Sequence, residues 1–369
     1  MIILTHAPLT GAEGNKWKDE NVDYSQEWGK EKARLVDVLQ KAELPVLSES
    51  GEDLGWKLKI TSFLLMEFEG LSNPSPDQPV QLVYGKPYLE EQLGKCTFQI
   101  SPGAFFQVCW SNGCCFLFYF GEQRANTIFH RLPSSIDSIC CMQVNTPGAE
   151  LLYGIVMDQL REYNPKTEDG KEKKKVLFDV CCGTGTIGLA CLKEGVVDRV
   201  VGVDISEPAI EDAKRNAKLN GFEDTPENPE AKTRFVASRA EHVMSKEIQL
   251  AKKYSKEHGG GKDAQAFIAV VDPARDGLHA DVVRALRNTE RIQRVVYVSC
   301  NPTGSMIKDA GLLCSPTTKR YGGTPFKPTV AYPVDMFPLT NHCEMVMTFD
   351  RVTEEDISGE PKKDASKLS

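Results

Sequence analysis

The sequence has no basic excess: 44 Lys and Arg stand against 52 Asp and Glu, a net charge of −8. A protein that tracks phosphates over its whole surface shows the opposite balance. Any nucleic-acid footprint must therefore be local, or come from a partner or a further domain. Long apolar runs are also missing. The longest compact one, Cys114–Phe120, is far too short to cross a bilayer, which leaves no membrane partner to expect. Residues 1–11 have neither a basic start nor an adequate apolar run, so no secretory signal is read there. Without that signal, twelve cysteines spread over 369 residues do not read as a disulfide scaffold. They read as free thiols in a reducing compartment, the cytoplasm and/or the nucleus. The apolar and charged fractions, 41% and 26%, are those of a globular chain and exclude full disorder.

The chain changes character along its length. Residues 1–100 read as β-rich: Trp56–Glu69 and Gln81–Tyr84 predict strands around a Pro/Ser loop at 72–78. Ala33, Leu35, Val36, Val38 and Leu39 predict a helix between Gln26 and Leu44. Residues 109–144 hold five cysteines and no clean period of either kind. Arg161–Lys175 reads as a charged linker. Beyond it, strands at 176–180, 199–203, 234–237, 267–271, 294–298 and 344–349 alternate with helices near 186–193, 207–220, up to about 256 and 279–287. That alternation predicts an α/β fold, a doubly wound and mostly parallel sheet covered on both faces. The tail after Arg351 is polar and predicted disordered.

The run Asp179-Val-Cys-Cys-Gly-Thr-Gly-Thr-Ile-Gly188 follows a strand and opens a helix. Gly183 and Gly185 permit a tight turn beside a ligand, and the helix N-terminus favours polar or anionic groups. Asp204 ends the next strand, where an acid can accept from both ribose hydroxyls. The spacing GTGTIG fits a dinucleotide site as well as it fits S-adenosylmethionine, so the glycines alone do not choose.

Two later motifs bear on the chemistry. Val270-Val-Asp272-Pro-Ala-Arg275 lies at the carboxyl end of a strand, where open α/β sheets bind ligands. Asp272 either points into that crevice or caps the following turn. Tyr297-Val-Ser-Cys300-Asn-Pro302 ends the next strand. Cys300 is either an inert filler or a nucleophile, its thiol pKa lowered by a helix beginning just beyond it. Glu344 leads the last strand, as a buried base of raised pKa or as a solvated strand start.

Together these pieces resemble the RNA uridine-5-methyltransferases, specifically the eukaryotic tRNA members. The likeness runs from Asp179 to Phe349 through DVCCGTGTIG, GVDISEPAIEDAKRNAKLNG, VVDPARDGLH, VVYVSCNP and VDMFPLTNHCEMV, and back through VYGKPYLEE and ISPGAFFQ. It implies a Rossmann-like class I methyltransferase that uses S-adenosyl-L-methionine, no metal, and an RNA substrate, most simply the T-loop of tRNA, with the chain a monomer. It implies Cys300 as nucleophile and Glu344 as proton acceptor. It also implies Gln107, Cys181, Gly183, Thr186, Asp204 and Asp272 around the cofactor, and Phe105 stacking on an extruded base.

Two departures qualify it. The family runs from SPxxFFQVN straight into TPGAE, whereas here Val108 is followed by Cys109 and the pattern resumes at Gln143-Val144-Asn145. Residues 109–144 therefore read as an insertion beside the cofactor pocket, and Gln107 and Gln143 compete for one role, with Phe105-Phe106 favouring Gln107. The eukaryotic members also carry an RNA-recognition module and more of a central β domain upstream. Residues 1–100 read as a remnant of that domain, 101–160 as a bridge, 161–352 as the methyltransferase domain and 353–369 as a tail. Upstream of Cys96 there is no cysteine set for an iron–sulfur cluster, which some bacterial relatives have. Three rivals stay open. A cytosine-5 enzyme would place Pro-Cys where Asp272-Pro-Ala-Arg stands, and an amino-group methyltransferase would place an aromatic at Arg275. The insertion also allows a catalytically impaired form that retains RNA binding.

Overall fold

The computed structural model describes residues 2–6, 24–41, 43–47, 53–59, 62–67, 80–101, 116–119, 145–222, 231–257, 265–336, 340, 342–353 and 356. Phe105, Gln107 and Gln143 lie outside them, as do most of 109–144 and of the tail. The chain divides into two units, residues 1–91 with 99–146 and residues 92–98 with 147–369.

The first unit is mostly strand. Its elements are β1 (Ile2–His6), α1 (Tyr24–Lys41), β2 (Glu43–Leu47), β3 (Asp53–Lys59), β4 (Phe63–Glu67) and β5 (Val80–Tyr84). Then come β6 (Leu89–Leu93) and β7 (Cys96–Ile100), a two-stranded ribbon whose tip falls in the second unit, and β8 (Phe116–Tyr119). Period-two burial of Leu89, Glu91 and Leu93, then of Cys96, Phe98 and Ile100, gives the ribbon one dry face. The four-stranded sheet runs β5-β4-β1-β8, with β1 parallel to both neighbours. Part of the apolar stretch 114–120 is thus an edge strand of this sheet. The expected strand at 56–69 is two, β3 ending at Lys59 and β4 beginning at Phe63.

The second unit begins with α2 (Thr146–Glu162), β9 (Lys174–Val180), α3 (Thr186–Lys193), β10 (Arg199–Asp204), α4 (Glu207–Leu219) and β11 (Thr233–Ala237). It continues with α5 (Ala240–Glu257), β12 (Gln265–Val271), α6 (Ala280–Asn288), β13 (Ile292–Ser299), α7 (Ser305–Cys314), β14 (Phe326–Val334) and β15 (Glu344–Arg351). Its seven-stranded sheet runs β11-β10-β9-β12-β13-β15-β14, parallel from β11 to β13, with β15 antiparallel to both neighbours. This is the doubly wound α/β sheet that the alternation predicts. Its order reverses between β9 and β12, and open α/β sheets bind ligands at the carboxyl ends on either side of such a reversal.

Strands covered on both faces need continuous apolar sequence, and β9, β12 and β13 supply it. Val176, Phe178 and Val180 of β9 turn toward a layer made by α5, α6 and α7, with Val243, Met244, Leu286, Met306 and Leu313 in one buried cluster. The alternate residues face the other way. There Asp179 meets α3 through Gly188, and Thr348 of β15 donates to Gln159 of α2 at 3.1 Å. Ala149, Leu152, Tyr153, Val156 and Leu160 form the buried stripe of α2.

Besides the strands β1, β2, β6, β7 and β8 of the first unit, which no specific stretch predicted, two elements and one loop of the second unit depart from the sequence reading. Helix α2 was not anticipated, nor was β14, whose Pro328 and Pro333 argue against a strand. At a sheet edge a residue that cannot donate is tolerated, and β14 is that edge. The charged stretch 161–175 is an ordered turn, in which Lys166 bridges Glu172 and Thr167 bonds to Lys171. At the far end of β15, Arg351 is 4% exposed, and its guanidinium donates to the carbonyls of Leu286, Arg287, Thr289, Ile292 and Thr324.

Candidate active site

The strand ends set the levels of the groups that matter. Val180 pairs with Val203 on one side and Val271 on the other, and Val271 pairs with Tyr297. Cys181, Asp204 and Asp272 therefore leave the sheet side by side. Ser299 pairs with Met345, which puts the next residue, Cys300, level with Glu344 across an antiparallel pair. The predicted nucleophile and the predicted base come together by register.

At the β9–β10 side, backbone builds the site. The N–H groups of Cys181 and Cys182 both donate to Val203 O, at 2.9 and 3.2 Å. Cys181 has φ 61, the one left-handed residue other than glycine among those described. Gly185, at φ 77, begins α3. A Cβ there would lie 2.9 Å from the Phe235 ring, so glycine is required on two counts. The Asp204 carboxylate is held at both oxygens: Gly183 N–H donates to Oδ2 at 2.9 Å and Ser206 N–H to Oδ1 at 3.0 Å. Thr186, in the first turn of α3, shares a 2.9 Å hydroxyl contact with Thr184. Asp179 accepts from Gly188 N–H at 2.9 Å, and its other oxygen is buried without a partner among the described residues. Burial pushes its carboxyl up to about 7, against that one hydrogen bond and with the help of the Asp204 charge.

At the β12–β13–β15 side, acids lie close together with little to balance them. Asp272 follows β12, its N–H donating to Val180 O at 3.2 Å. Burial holds its carboxyl well above the usual range, and the charges of Glu344 and Asp179 add to that. Glu344 is 2% exposed, with Oε2 unpartnered among the described residues. Burial raises its carboxyl to about 7, opposed by Arg275. Cys300 is half-buried. Its thiol is raised by burial first and by Glu344 and Asp272 next, with Arg275 and its own backbone pulling it down. The expected lowering by the following helix does not prevail, because burial of the thiol outweighs it and the charges of Glu344 and Asp272 add to the rise. Among the described residues no cluster of His, Cys, Asp and Glu could hold a metal ion.

The methyltransferase domain family matches residues 171–251. Human tRNA (uracil-5-)-methyltransferase homolog A is 32% identical over 301 residues, 81% of this chain and 37% of that protein. Human homolog B is 33% identical over 294 residues, 79% of this chain and 45% of that protein. The homolog B of Danio rerio is 35% identical over 273 residues, 73% of this chain and 43% of that one. This chain is a homologue of the tRNA (uracil-5-)-methyltransferase homologs A and B. It spans less than half the length of each of these three relatives. Among solved structures, an rRNA methylase from Streptococcus thermophilus aligns with a TM-score of 0.35 and 11% identity, over 54% of this chain and 95% of that one.

Two groups at the site escaped the sequence reading. Tyr153 of α2 is buried, and its phenol is held far above its ordinary range by burial and then by Asp272, Asp179 and Glu344. The signal for it was there, since Tyr153 sits on the same helical stripe as Ala149, Leu152 and Val156. Ile205, directly after Asp204, is 81% exposed. It is an apolar side chain left in water at the carboxyl end of β10. Nothing in its sequence neighbourhood marks it apart from a core residue.

Proposed function

We propose that this chain transfers a methyl group from S-adenosyl-L-methionine to carbon 5 of a uridine in RNA, the T-loop of tRNA in particular, through a covalent adduct on Cys300. The observation that carries this reading is the register that sets Cys300 level with Glu344 at the crevice end of the sheet.

The residues present suit the cofactor. Asp179 and Asp204 at the β9–β10 side and Asp272 at the end of β12 lie within reach of one another's charge, and one oxygen of Asp179 is unpartnered among the described residues. Such a cluster favours a cationic ligand, and Asp204, fixed at both oxygens, keeps lone pairs for ribose hydroxyls. Gly183, Thr186, Cys181, Asp204 and Asp272 would hold it; Gln107, which the resemblance adds, lies outside the described residues. When bound, S-adenosylmethionine supplies an electrophilic methyl carbon on a sulfonium.

Carbon 5 of uracil is a weak nucleophile. The Cys300 thiolate adds to carbon 6, and the electron pair of the 5,6 double bond moves toward carbon 5 and the carbonyl at position 4. Carbon 5, now electron-rich, gains the methyl group. Glu344 then takes the proton from carbon 5, the double bond re-forms and the thiolate leaves. A base with a pKa near 7 is suited to that step at neutral pH. Phe105 would stack on the extruded base, and one thiolate with one carboxylate completes the cycle without a metal. Burial first, and then the charges of Glu344 and Asp272, hold the Cys300 thiol above its ordinary range. Any cation brought among them lowers its pKa.

The test is methyl transfer to an unmodified tRNA transcript, read by mass analysis of the nucleosides. 5-Methyluridine at a single position is the expected product. 5-Methylcytidine would favour the cytosine reading. RNA binding with no methylated nucleoside would favour an impaired form.

A further inference from the structure

The turn between β12 and α6 carries Asp272 and Arg275, and it is fastened from two sides. On one side stands Asp309 of α7, 1% exposed. Its Oδ2 accepts from the Leu278 N–H at 2.6 Å and from the Tyr297 hydroxyl at 2.8 Å. Its Oδ1 is buried without a partner among the described residues. Gly277, at φ 82, presses on the same carboxylate: a Cβ there would come within 2.5 Å of Oδ2 and 2.8 Å of the Ser305 Cβ. On the other side, Asn301 Nδ2 donates to Arg275 O at 3.1 Å, and Asn301 N–H donates to Ser299 Oγ at 3.1 Å.

A packing role alone does not account for this arrangement. Helix α7 already joins the core through Met306 and Leu313, and an apolar residue at 309 would bury more cheaply than a carboxylate with one oxygen unpaired. What the carboxylate does instead is tie two addresses together. Tyr297 stands three residues before Cys300 on β13, and Leu278 three residues after Arg275 on the turn. We infer that Asp309, assisted by Asn301, is a positioning residue: it locks the 272–278 turn to the strand that ends in Cys300, so that Arg275 remains the cation facing Cys300 and Glu344.

The inference rests on the reading of Cys300 and Glu344 as the reacting pair. The charged groups that face Cys300 are Glu344 from β15 and Asp272 and Arg275 from the turn, and Arg275 alone of these pulls the thiol down. Asp272 is tied separately, by its N–H to Val180 O. A loosened turn therefore frees the cation more than it frees the acid, and the thiol rises further.

The experiment is alkylation of Cys300 by iodoacetamide in the full chain across pH, followed by peptide mass spectrometry. It needs no methyl transfer. Arg275→Gln is expected to move the midpoint up by roughly half a pH unit to one unit. Asp309→Leu should move it by a similar amount, and the double variant no further than Arg275→Gln alone, because both act through one cation. Asp309→Asn keeps an oxygen for both donors and should stay within about 0.2 unit. An unmoved midpoint in a cooperatively melting Asp309→Leu chain overturns the inference. So do additive shifts in the double variant, or an unmoved midpoint in Arg275→Gln. If Asp309→Leu does not fold, Asn301→Ala and Tyr297→Phe each remove one tie and should shift the midpoint upward by about 0.3 unit; no shift in either overturns it. If the titration behaves as stated and no uridine is methylated, the functional reading fails and the positioning role stands. If the parent methylates and Asp309→Leu keeps its kcat and pH profile, the reverse holds.

Discussion

The two sides of the crevice are built on opposite plans. At the β9–β10 side, main-chain N–H groups do the holding, and both oxygens of Asp204 are occupied before any ligand arrives. At the β12–β13–β15 side, Asp272 and Glu344 sit among side chains, their carboxyls raised, with an oxygen of Glu344 left unpaired. The first plan suits grip at Asp204, because hydrogen-bonded groups hold their shape before a ligand arrives. The second suits chemistry, because a group whose ionisation is balanced near neutral pH can take or release a proton during a reaction.

The sharpest way to break this contrast is Cys300→Ala. Methyl transfer to tRNA should fall by at least about 10⁴-fold, as for a lost nucleophile. Binding of S-adenosylhomocysteine, measured by calorimetry, should change less than about twofold, since the grip lies elsewhere. A parallel loss of binding would show that the two sides are not separate. Next, Glu344→Gln should slow release by about 10²–10³-fold and leave RNA attached to the chain as a shifted band on a denaturing gel. Absence of that band under every condition removes Glu344 as the base.

On the gripping side, Asp204→Asn must turn an amide NH₂ toward either the Gly183 or the Ser206 N–H. Cofactor affinity should drop about tenfold while single-turnover methylation at saturation stays close to the parent. A fall in the chemical rate instead would mean that Asp204 acts beyond binding.

A gentler effect is expected on stability, and here the two sides act alike. Folding raises the carboxyls of Glu344 and Asp179 to about 7, so the folded chain holds those protons more tightly than the unfolded one. Their contribution is whole below the ordinary carboxylate range and is lost as pH climbs through about 7. The melting temperature should therefore fall between pH 5 and pH 8. Glu344→Gln should match the parent at pH 5 and exceed it by about 3 °C at pH 8. The smallest effect is expected at Cys181, whose left-handed backbone suits glycine. Cys181→Gly should stabilise by about 0.5–1 kcal/mol in chemical denaturation.

How much of this was readable from sequence follows the same division. Strand, glycine turn and terminal acid are local patterns, so the Asp179–Asp204 side was legible in outline. Cys300 and Glu344 could each be named, and their residue types suggested roles. Their meeting depended on β15 running antiparallel to β13, which no local pattern dictates. Tyr153 was missed because its partners, Asp179, Asp272 and Glu344, are distant in sequence. The direction of the Cys300 pKa was misjudged for a related reason: the helix start was visible in the sequence, while the burial that raises the thiol most, and the charges of Glu344 and Asp272 that add to it, come only with the fold. Strand β14 was hidden by Pro328 and Pro333, whose usual meaning changes at a sheet edge.

Arg351 closes the account from the far end of β15. A guanidinium shared among five carbonyls cannot move by one residue without losing most of them at once. In a β-ladder a one-residue slip reverses which way every side chain faces. The strand is thus bolted at its tail, and its first residue inherits a fixed address: Glu344 faces Cys300 because, seven peptide bonds away, the chain has no second position in which to rest.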